Sequence, residues 1–132
     1  MALAETAASH YNVVWFKRDL RCHDHTALIE AARSGPVLCV YIVESSLWAQ
    51  ADAARQHYHF VRESLQDLAT SLRQLGGDLR VFVGEAVEVF TLIRSCAKFS
   101  ALFSHEETGN HVSYQRDLAV KAWCVSEQVP WH

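Results

Sequence analysis

A cluster of charged side chains follows the first apolar run of the chain and is the strongest candidate for a site of chemistry. Residues 12–21 read NVVWFKRDLR, so Lys17, Arg18, Asp19 and Arg21 stand within five positions directly after a strand-like stretch. In parallel α/β proteins, ligands bind outside the carboxyl ends of the strands. These charges therefore predict either a ligand site or a tightly held loop.

The two halves of this cluster have different interpretations. Asp19 and Arg21 are two residues apart, and we interpret them chiefly as a lock that holds the loop by ion pairing and backbone hydrogen bonds. Lys17 and Arg18 could instead be solvated, face a cleft or dock another domain. Glu106 follows a later strand and could accept a hydrogen bond from the N–H of a heterocyclic ring. The residues predicted to line the cleft are Phe16, Lys17, Arg18, Glu44, His105 and Glu106.

The common motifs for phosphate binding, metal binding and nucleophilic catalysis are missing. No GxGxxG follows the first apolar run, no GxxxxGK[ST] occurs, and no serine stands in a G-x-S-x-G elbow. The histidines include two close pairs, His23 with His25 and His57 with His59, but the sequence indicates no third convergent ligand. We therefore predict no metal site and no catalytic centre within these residues.

Strand-like and helix-like segments alternate along the chain with little left over. Residues 37–43, VLCVYIV, form a continuous apolar run that is typical of a strand buried on both faces. Asp24 is expected to cap the first helix, and Gly76-Gly77 to end the second. The predicted strands are 12–16, 37–43, 79–83 and 101–104, with a fifth opening at 129–132. The predicted helices are 25–34, 53–75, 86–97 and 113–127.

This alternation predicts an α/β fold: a Rossmann-like, doubly wound parallel sheet of about five strands with helices on both faces, in three layers. We assume the strand order 3-2-1-4-5, in which the loops after strands one and four diverge and open a crevice. Residues 17–24 and 105–111 would then face each other across that crevice. The most polar loops would meet there.

Composition and charge limit the partners and the cellular location that we expect for the chain. The 132 residues carry 15 acidic and 12 basic side chains, a net charge of −3, so the chain is not by itself a strong nucleic-acid binder. Four widely spaced cysteines form no CxxC, which favours free thiols and a cytoplasmic location. The longest apolar runs have the length of strands, too short to span a membrane. We expect one domain over residues 11–132 and a frayed segment over residues 1–10.

Three blocks resemble the amino-terminal domain of the DNA photolyase and cryptochrome family. VVWFKRDLRCHDHTAL, residues 13–28, resembles the family's opening strand, RDLR loop and first helix. VLCVYIVESSLW, residues 37–48, is similar to its second strand, and LFSHEETGNHVSYQRDLAVKAWC, residues 102–124, to its fourth strand and the helix that follows. RDLR alone is a weak motif, but the three blocks in order and at compatible spacing are specific.

The resemblance implies a role in light-driven chemistry. In the family this domain accommodates an antenna chromophore, which is a folate, a deazaflavin or another flavin, while a following helical domain binds FAD and damaged DNA. On this reading the chain stops at the start of strand five, its partner is its own FAD-binding domain, and damaged DNA is bound only by the full-length protein. Folate binding in some members uses an Asn-Glu pair that residues 111–114 lack, so the chromophore's identity stays open.

Three functions follow from these observations. The first is the antenna domain of a deoxyribodipyrimidine photolyase, the parent protein being a lyase that repairs pyrimidine dimers in DNA under blue light. The second is the same domain of a cryptochrome, a blue-light receptor. The third is a free-standing nucleotide-binding or interaction module. An unpaired strand at the sheet edge also predicts self-association of the chain.

Overall fold

In the part of the chain that the structure describes, four parallel strands and four helices make up the fold. The computed structural model describes residues 11–44, 55–105 and 111–132, without the side chains of residues 55–59. The strands are β1 (Asn12–Phe16), β2 (Val37–Val43), β3 (Leu79–Val83) and β4 (Ala101–Ser104). The helices are α1 (Thr26–Arg33), α2 (Arg55–Gln74), α3 (Ala86–Cys96) and α4 (His111–Glu127).

The sheet has the order β3-β2-β1-β4, and every pair of neighbours is parallel. The predicted fifth strand is reduced to an isolated bridge in which Trp131 pairs in parallel with Leu102. Three backbone hydrogen bonds join these segments, from the Leu102 N–H to the Pro130 carbonyl at 2.9 Å, from the His132 N–H to the Leu102 carbonyl at 2.8 Å and from the Ser104 N–H to the His132 carbonyl at 3.0 Å. The predicted order 3-2-1-4-5 is therefore confirmed, with four strands and one bridge where about five strands were expected.

Successive side chains of a strand point to opposite faces of the sheet, and they form two separate hydrophobic cores. Val13, Trp15 and Val40 point to the face covered by α3 and α4, where they pack with Phe90 and Val120. The opposite face carries α1 and α2, and its buried residues are Val14, Phe16, Ala27, Ala31, Cys39, Tyr41, Leu68, Leu72, Leu79, Ala101 and Phe103. Both faces of β1 and β2 are buried, which explains their nearly unbroken apolar sequences. The doubly wound, three-layer arrangement is confirmed.

The start of α1 differs from the expectation. The expected cap, Asp24, instead adopts a left-handed backbone conformation with φ of 51°. The N-cap is His25, whose Nδ1 accepts a hydrogen bond of 3.1 Å from the Leu28 N–H. The first helix therefore begins one residue later than predicted, and its cap is an imidazole instead of a carboxylate.

Helix α4 buries a stripe that contains both polar and apolar residues. Leu118 is 43% exposed, whereas Trp123 is partly buried against the core. The buried residues are Ser113, Arg116, Val120 and Cys124, spaced at three and four residues along the helix. None of the helices among the described residues is long and apolar enough to cross a bilayer.

Candidate functional site

The carboxyl edge of the sheet carries two clusters of polar side chains, one on each face. The strands β1 and β4 are neighbours, and their connections run to helices on opposite faces, α1 and α4. This is the switch point at which doubly wound sheets bind ligands. Lys17 follows β1, Glu44 follows β2 and His105 follows β4, so the topology brings all three to this edge.

The first cluster lies on the α3/α4 face and contains four balanced charges. Arg116 of α4 forms an ion pair with Glu44, and its Nε lies 2.7 Å from Oδ1 of Asp117. The Lys17 ammonium lies 3.6 Å from the same Asp117 oxygen. The side chains of Lys17, Glu44 and Arg116 are each less than a tenth exposed, so the charges depend on one another for compensation.

Aromatic rings support the two cations of this cluster. The Lys17 Nζ lies 4.5 Å from the centroid of Trp15, and the Arg116 guanidinium carbon lies 4.8 Å from it. Trp131 adds a second ring, 5.5 Å from the Lys17 Nζ. Cations over indole rings in a desolvated site are attracted by the ring quadrupole. The result is a rigid, electrically neutral patch at the end of β1.

The second cluster lies on the α1/α2 face and contains Asp19, His25 and His105. Oδ2 of Asp19 contacts His25 Nε2 and lies 2.8 Å from His105 Nδ1. The other carboxylate oxygen accepts a hydrogen bond of 3.0 Å from the Lys17 N–H. Burial alone would raise the pKa of Asp19, but the hydrogen bonds from His25 and the backbone lower it below its ordinary value. Asp19 is therefore held as a carboxylate.

The spacing of this second cluster would suit a cation, since its three ligand atoms lie within 4.8 Å of one another. The sequence offered no third ligand for the histidine pairs, whereas the fold brings Asp19 and His105 to His25. However, the outer ring nitrogens accept backbone N–H groups of Leu28 and Ala27, at 3.1 and 3.4 Å. A neutral ring that accepts at one nitrogen carries its proton on the other. The inner nitrogens are then donors to Asp19 and offer no lone pair to a metal.

The Asp19–His105 pair also fails to extend to a serine nucleophile. Ser104 precedes His105, but its hydroxyl accepts a hydrogen bond of 2.8 Å from Trp131 Nε1. The outer nitrogen of His105 faces the Ala27 N–H. A nucleophile must lie within hydrogen-bonding reach of its base. These contacts do not form a Ser-His-Asp arrangement.

The predicted cleft residues are distributed between these clusters and the core. Phe16 is fully buried, and its ring centroid lies 4.7 Å from that of His25, so it packs beneath the second cluster. Lys17 and Glu44 belong to the first cluster and His105 to the second. Arg18 is exposed. Glu106 lies outside the described residues.

The predicted loop lock has a broader set of partners than the sequence indicated. Asp19 is bound by the two histidines, and its carbonyl accepts a hydrogen bond of 2.8 Å from the Arg21 N–H. The Arg21 guanidinium donates to the Asp24 carbonyl at 3.1 Å. Both residues thus hold the loop after β1, through contacts that include backbone hydrogen bonds.

Sequence reasoning missed the contribution of α4. Arg116 and Asp117 were not singled out, although Arg116 lies on a stripe with Ser113, Val120 and Cys124 that recurs at helical spacing. An arginine on an otherwise buried stripe requires an acidic partner. That pattern could have pointed to Glu44, the acidic residue at the end of β2.

Comparisons with known proteins agree on one family. The family model of DNA photolyase matches residues 12–132. The chain is 34% identical over 113 residues to Cryptochrome-1 of Gallus gallus, which covers 83% of this chain and 18% of that protein. A class III photolyase structure from Agrobacterium tumefaciens matches with a TM-score of 0.82 and 25% identity, over 92% of this chain and 25% of that one.

A second solved structure also matches this chain. An archaeal photolyase structure from Sulfolobus tokodaii, described as having two FAD molecules and implying a novel light-harvesting cofactor, matches with a TM-score of 0.80. It is 27% identical, and the match covers 91% of this chain and 28% of that one. The chain belongs to the DNA photolyase family and spans about a fifth to a quarter of the length of these relatives.

Proposed function

We propose that this chain is the antenna domain of a DNA photolyase, with a boundary near residue 11 and one domain from there to residue 132. Its task is positional: it holds a light-harvesting chromophore at the carboxyl edge of the sheet, at a fixed distance from FAD in a following helical domain. Holding and orienting a pigment is the usual contribution of a protein to cofactor chemistry. FAD and damaged DNA are contacted by the native polypeptide outside these residues.

One observation carries the proposal. The polar ends of β1, β2 and β4 converge at the switch point, yet the clusters that they form contain no nucleophile–base pair among the described residues. Such an edge can bind a polar planar ligand without transforming it. A photolyase relative whose description includes a light-harvesting cofactor supports the same interpretation. Cytoplasmic location is part of this proposal and is supported by four free cysteines.

Chromophore binding to the 132-residue chain tests this function. We expect little absorbance above about 400 nm in the purified chain and saturable binding when a folate, a deazaflavin or a flavin mononucleotide is added. Arg18→Ala removes a cation beside the carboxyl edge and is expected to weaken binding, whereas Lys98→Ala, which removes an exposed cation before β4 at the opposite edge, is the matched control. Failure to bind any of the three classes, or equal losses in both variants, would contradict the proposal.

The second candidate is the same domain of a cryptochrome, and the curated relatives favour it. Cryptochrome-1 of Gallus gallus is 34% identical to this chain. A cryptochrome would share the sheet, both polar clusters and the chromophore test, but its native polypeptide would not repair DNA. Light-dependent dimer repair therefore separates the two candidates.

A further inference from the structure

Asp19, His25 and His105 join three segments that are distant in the chain. Asp19 belongs to the β1–α1 loop, His25 caps α1, and His105 directly follows β4. The two imidazole rings stack with their centroids 4.2 Å apart and their planes inclined by 24°, and one oxygen of Asp19 contacts both. The cluster thus fastens the chain after β4 to the loop after β1.

The backbone assigns the protons in this cluster. His25 Nδ1 accepts the Leu28 N–H, so the proton of the neutral ring is on Nε2, against Asp19. His105 Nε2 faces the Ala27 N–H, so its proton is on Nδ1, also against Asp19. With these protons in place, Nε2–H of His25 and Nδ1–H of His105 both face the single carboxylate charge of Asp19.

Protonation of the His25 and His105 imidazoles would disrupt this arrangement of donors and acceptors. A protonated imidazole is a donor at both nitrogens, so its outer nitrogen would face a backbone N–H that is also a donor. Two imidazolium rings at 4.2 Å would repel each other, and the carboxylate of Asp19 can balance only one of them. His25 is fully buried, whereas the side chain of His105 is 31% exposed. The ring that leaves is therefore His105.

The Lys17 and Arg21 side chains, which stand in the same loop as Asp19, have partners outside this cluster. The Lys17 ammonium lies on the other face of the sheet, with Asp117 and Trp15. The Arg21 guanidinium reaches the Asp24 carbonyl. From β1, the neighbour is the uncharged ring of Phe16. Asp19 is thus the charged group in direct contact with both rings.

We propose that Asp19, His25 and His105 form an acid-sensitive latch that is closed while both imidazoles are neutral and opens when both are protonated. Opening releases His105 from the first loop, and a protonated His25 no longer accepts the Leu28 N–H at the start of α1. The latch acts in either a photolyase or a cryptochrome, because it depends only on contacts within this domain.

The tautomers of the imidazoles provide the first test. Nitrogen-15 NMR of the whole chain at about pH 7.5 should show His25 protonated at Nε2 and His105 protonated at Nδ1, which is the minor tautomer of free histidine. The exposed His23 in the same loop is the internal reference. A His105 ring protonated at Nε2, or a positive charge on either ring at this pH, would overturn the proposal.

Hydrogen exchange provides the second test. Lowering the pH from about 7.5 to 5 should reduce the protection factors of the Ala27 and Leu28 amides by roughly tenfold, the size expected for loss of a helix cap. The double variant His25→Asn with His105→Gln keeps a capping side chain and amide donors but cannot titrate. It should lose the pH dependence, and His23→Gln should retain it. Constant protection in the wild type, or an equal loss in the double variant, would refute the latch.

Discussion

At the scale of single residues, Asp19 is the side chain on which the first loop most depends. It accepts from the Lys17 N–H with one oxygen and contacts His25 and His105 with the other. Its pKa is lowered because these partners outweigh the effect of burial, which alone would raise it. A carboxylate with a lowered pKa stabilises the fold above its ordinary pKa of about 4, and this contribution is lost as the pH falls through the folded value.

Asp19→Asn should therefore destabilise the protein in a pH-dependent way. We expect a loss of about 1–3 kcal/mol at neutral pH, since the amide leaves buried donors poorly matched. The difference from wild type should shrink below about pH 4, where the wild-type carboxylate takes up its proton. Urea unfolding of both proteins at several pH values measures it. Asp67→Asn, at an exposed position of α2, is the control, and an equal loss there would contradict the role of Asp19.

The buried pair of Glu44 and Arg116 gives a second prediction at this scale. Removing one partner leaves the other charge buried, so Arg116→Met should cost about 3–5 kcal/mol of unfolding free energy. The double variant Glu44→Leu with Arg116→Met removes both charges and should be less destabilised than the sum of the single variants. A double-mutant cycle by chemical denaturation measures this coupling. Additive losses would mean that the two side chains contribute independently.

At the scale of elements, α2 shows how a helix end is determined by sequence. Gly76, with φ of 88°, follows the helix, and its N–H donates to the Arg73 carbonyl at 3.0 Å. The Gly77 N–H donates to the Leu72 carbonyl at 2.8 Å. These two bonds form a Schellman motif, in which a left-handed residue satisfies carbonyls that the helix leaves open. The motif directs the chain into β3.

Two adjacent glycines make this motif testable. Gly76→Ala should destabilise the protein by about 1 kcal/mol, because alanine is strained at a positive φ even though nothing lies within 4 Å of the added Cβ. Gly77→Ala is the matched control, since its Cβ would be in ordinary contact with the Leu72 carbonyl oxygen at 3.6 Å. Thermal unfolding of the two variants compares them. A larger loss at Gly77 would contradict the assignment of Gly76 as the left-handed residue.

The pattern of apolar residues predicted those elements whose buried faces are made of apolar side chains alone. β2 was recognised from its unbroken apolar run, because a parallel strand between two helical layers meets no water. The buried stripe of α4 is harder to read from sequence, because it contains Ser113 and Arg116 while Leu118 and Val125 are exposed. A polar residue in a buried stripe is explained only by a partner on another element, here Glu44 after β2.

For the candidate site, likewise, the sequence predicted the residues at the strand ends but not the partners that they contact. Lys17, Glu44 and His105 were predicted to reach one edge, because the carboxyl ends of parallel strands meet there. Their partners were not predictable from local sequence, since His25 and His105 are 80 positions apart. The division into two clusters was not predictable either. It depends on which side chains at the carboxyl edge lie on one face of the sheet and which lie on the other.

At the scale of the whole molecule, the two apolar cores and the two polar clusters occupy different parts of the fold. Both cores are closed around the sheet, and the thiols within them are inert, since burial raises the pKa of Cys39 to about 12 and of Cys124 to about 11. Four of the buried polar residues, Lys17, His25, Glu44 and Arg116, belong to the two clusters at the carboxyl edge of the sheet. A domain of this design presents one surface to a ligand or a neighbouring domain and contributes rigidity elsewhere.

The most direct measurement is the action spectrum of pyrimidine-dimer repair by the native polypeptide that carries residues 1–132, with its FAD reduced. The account predicts repair in blue light and none in the dark, with an efficiency that follows the absorbance of a second pigment in addition to that of FAD. Removing that pigment should leave repair driven by FAD alone. Absence of repair under illumination, although the damaged DNA is bound and the FAD is reduced, would contradict the assignment to a photolyase.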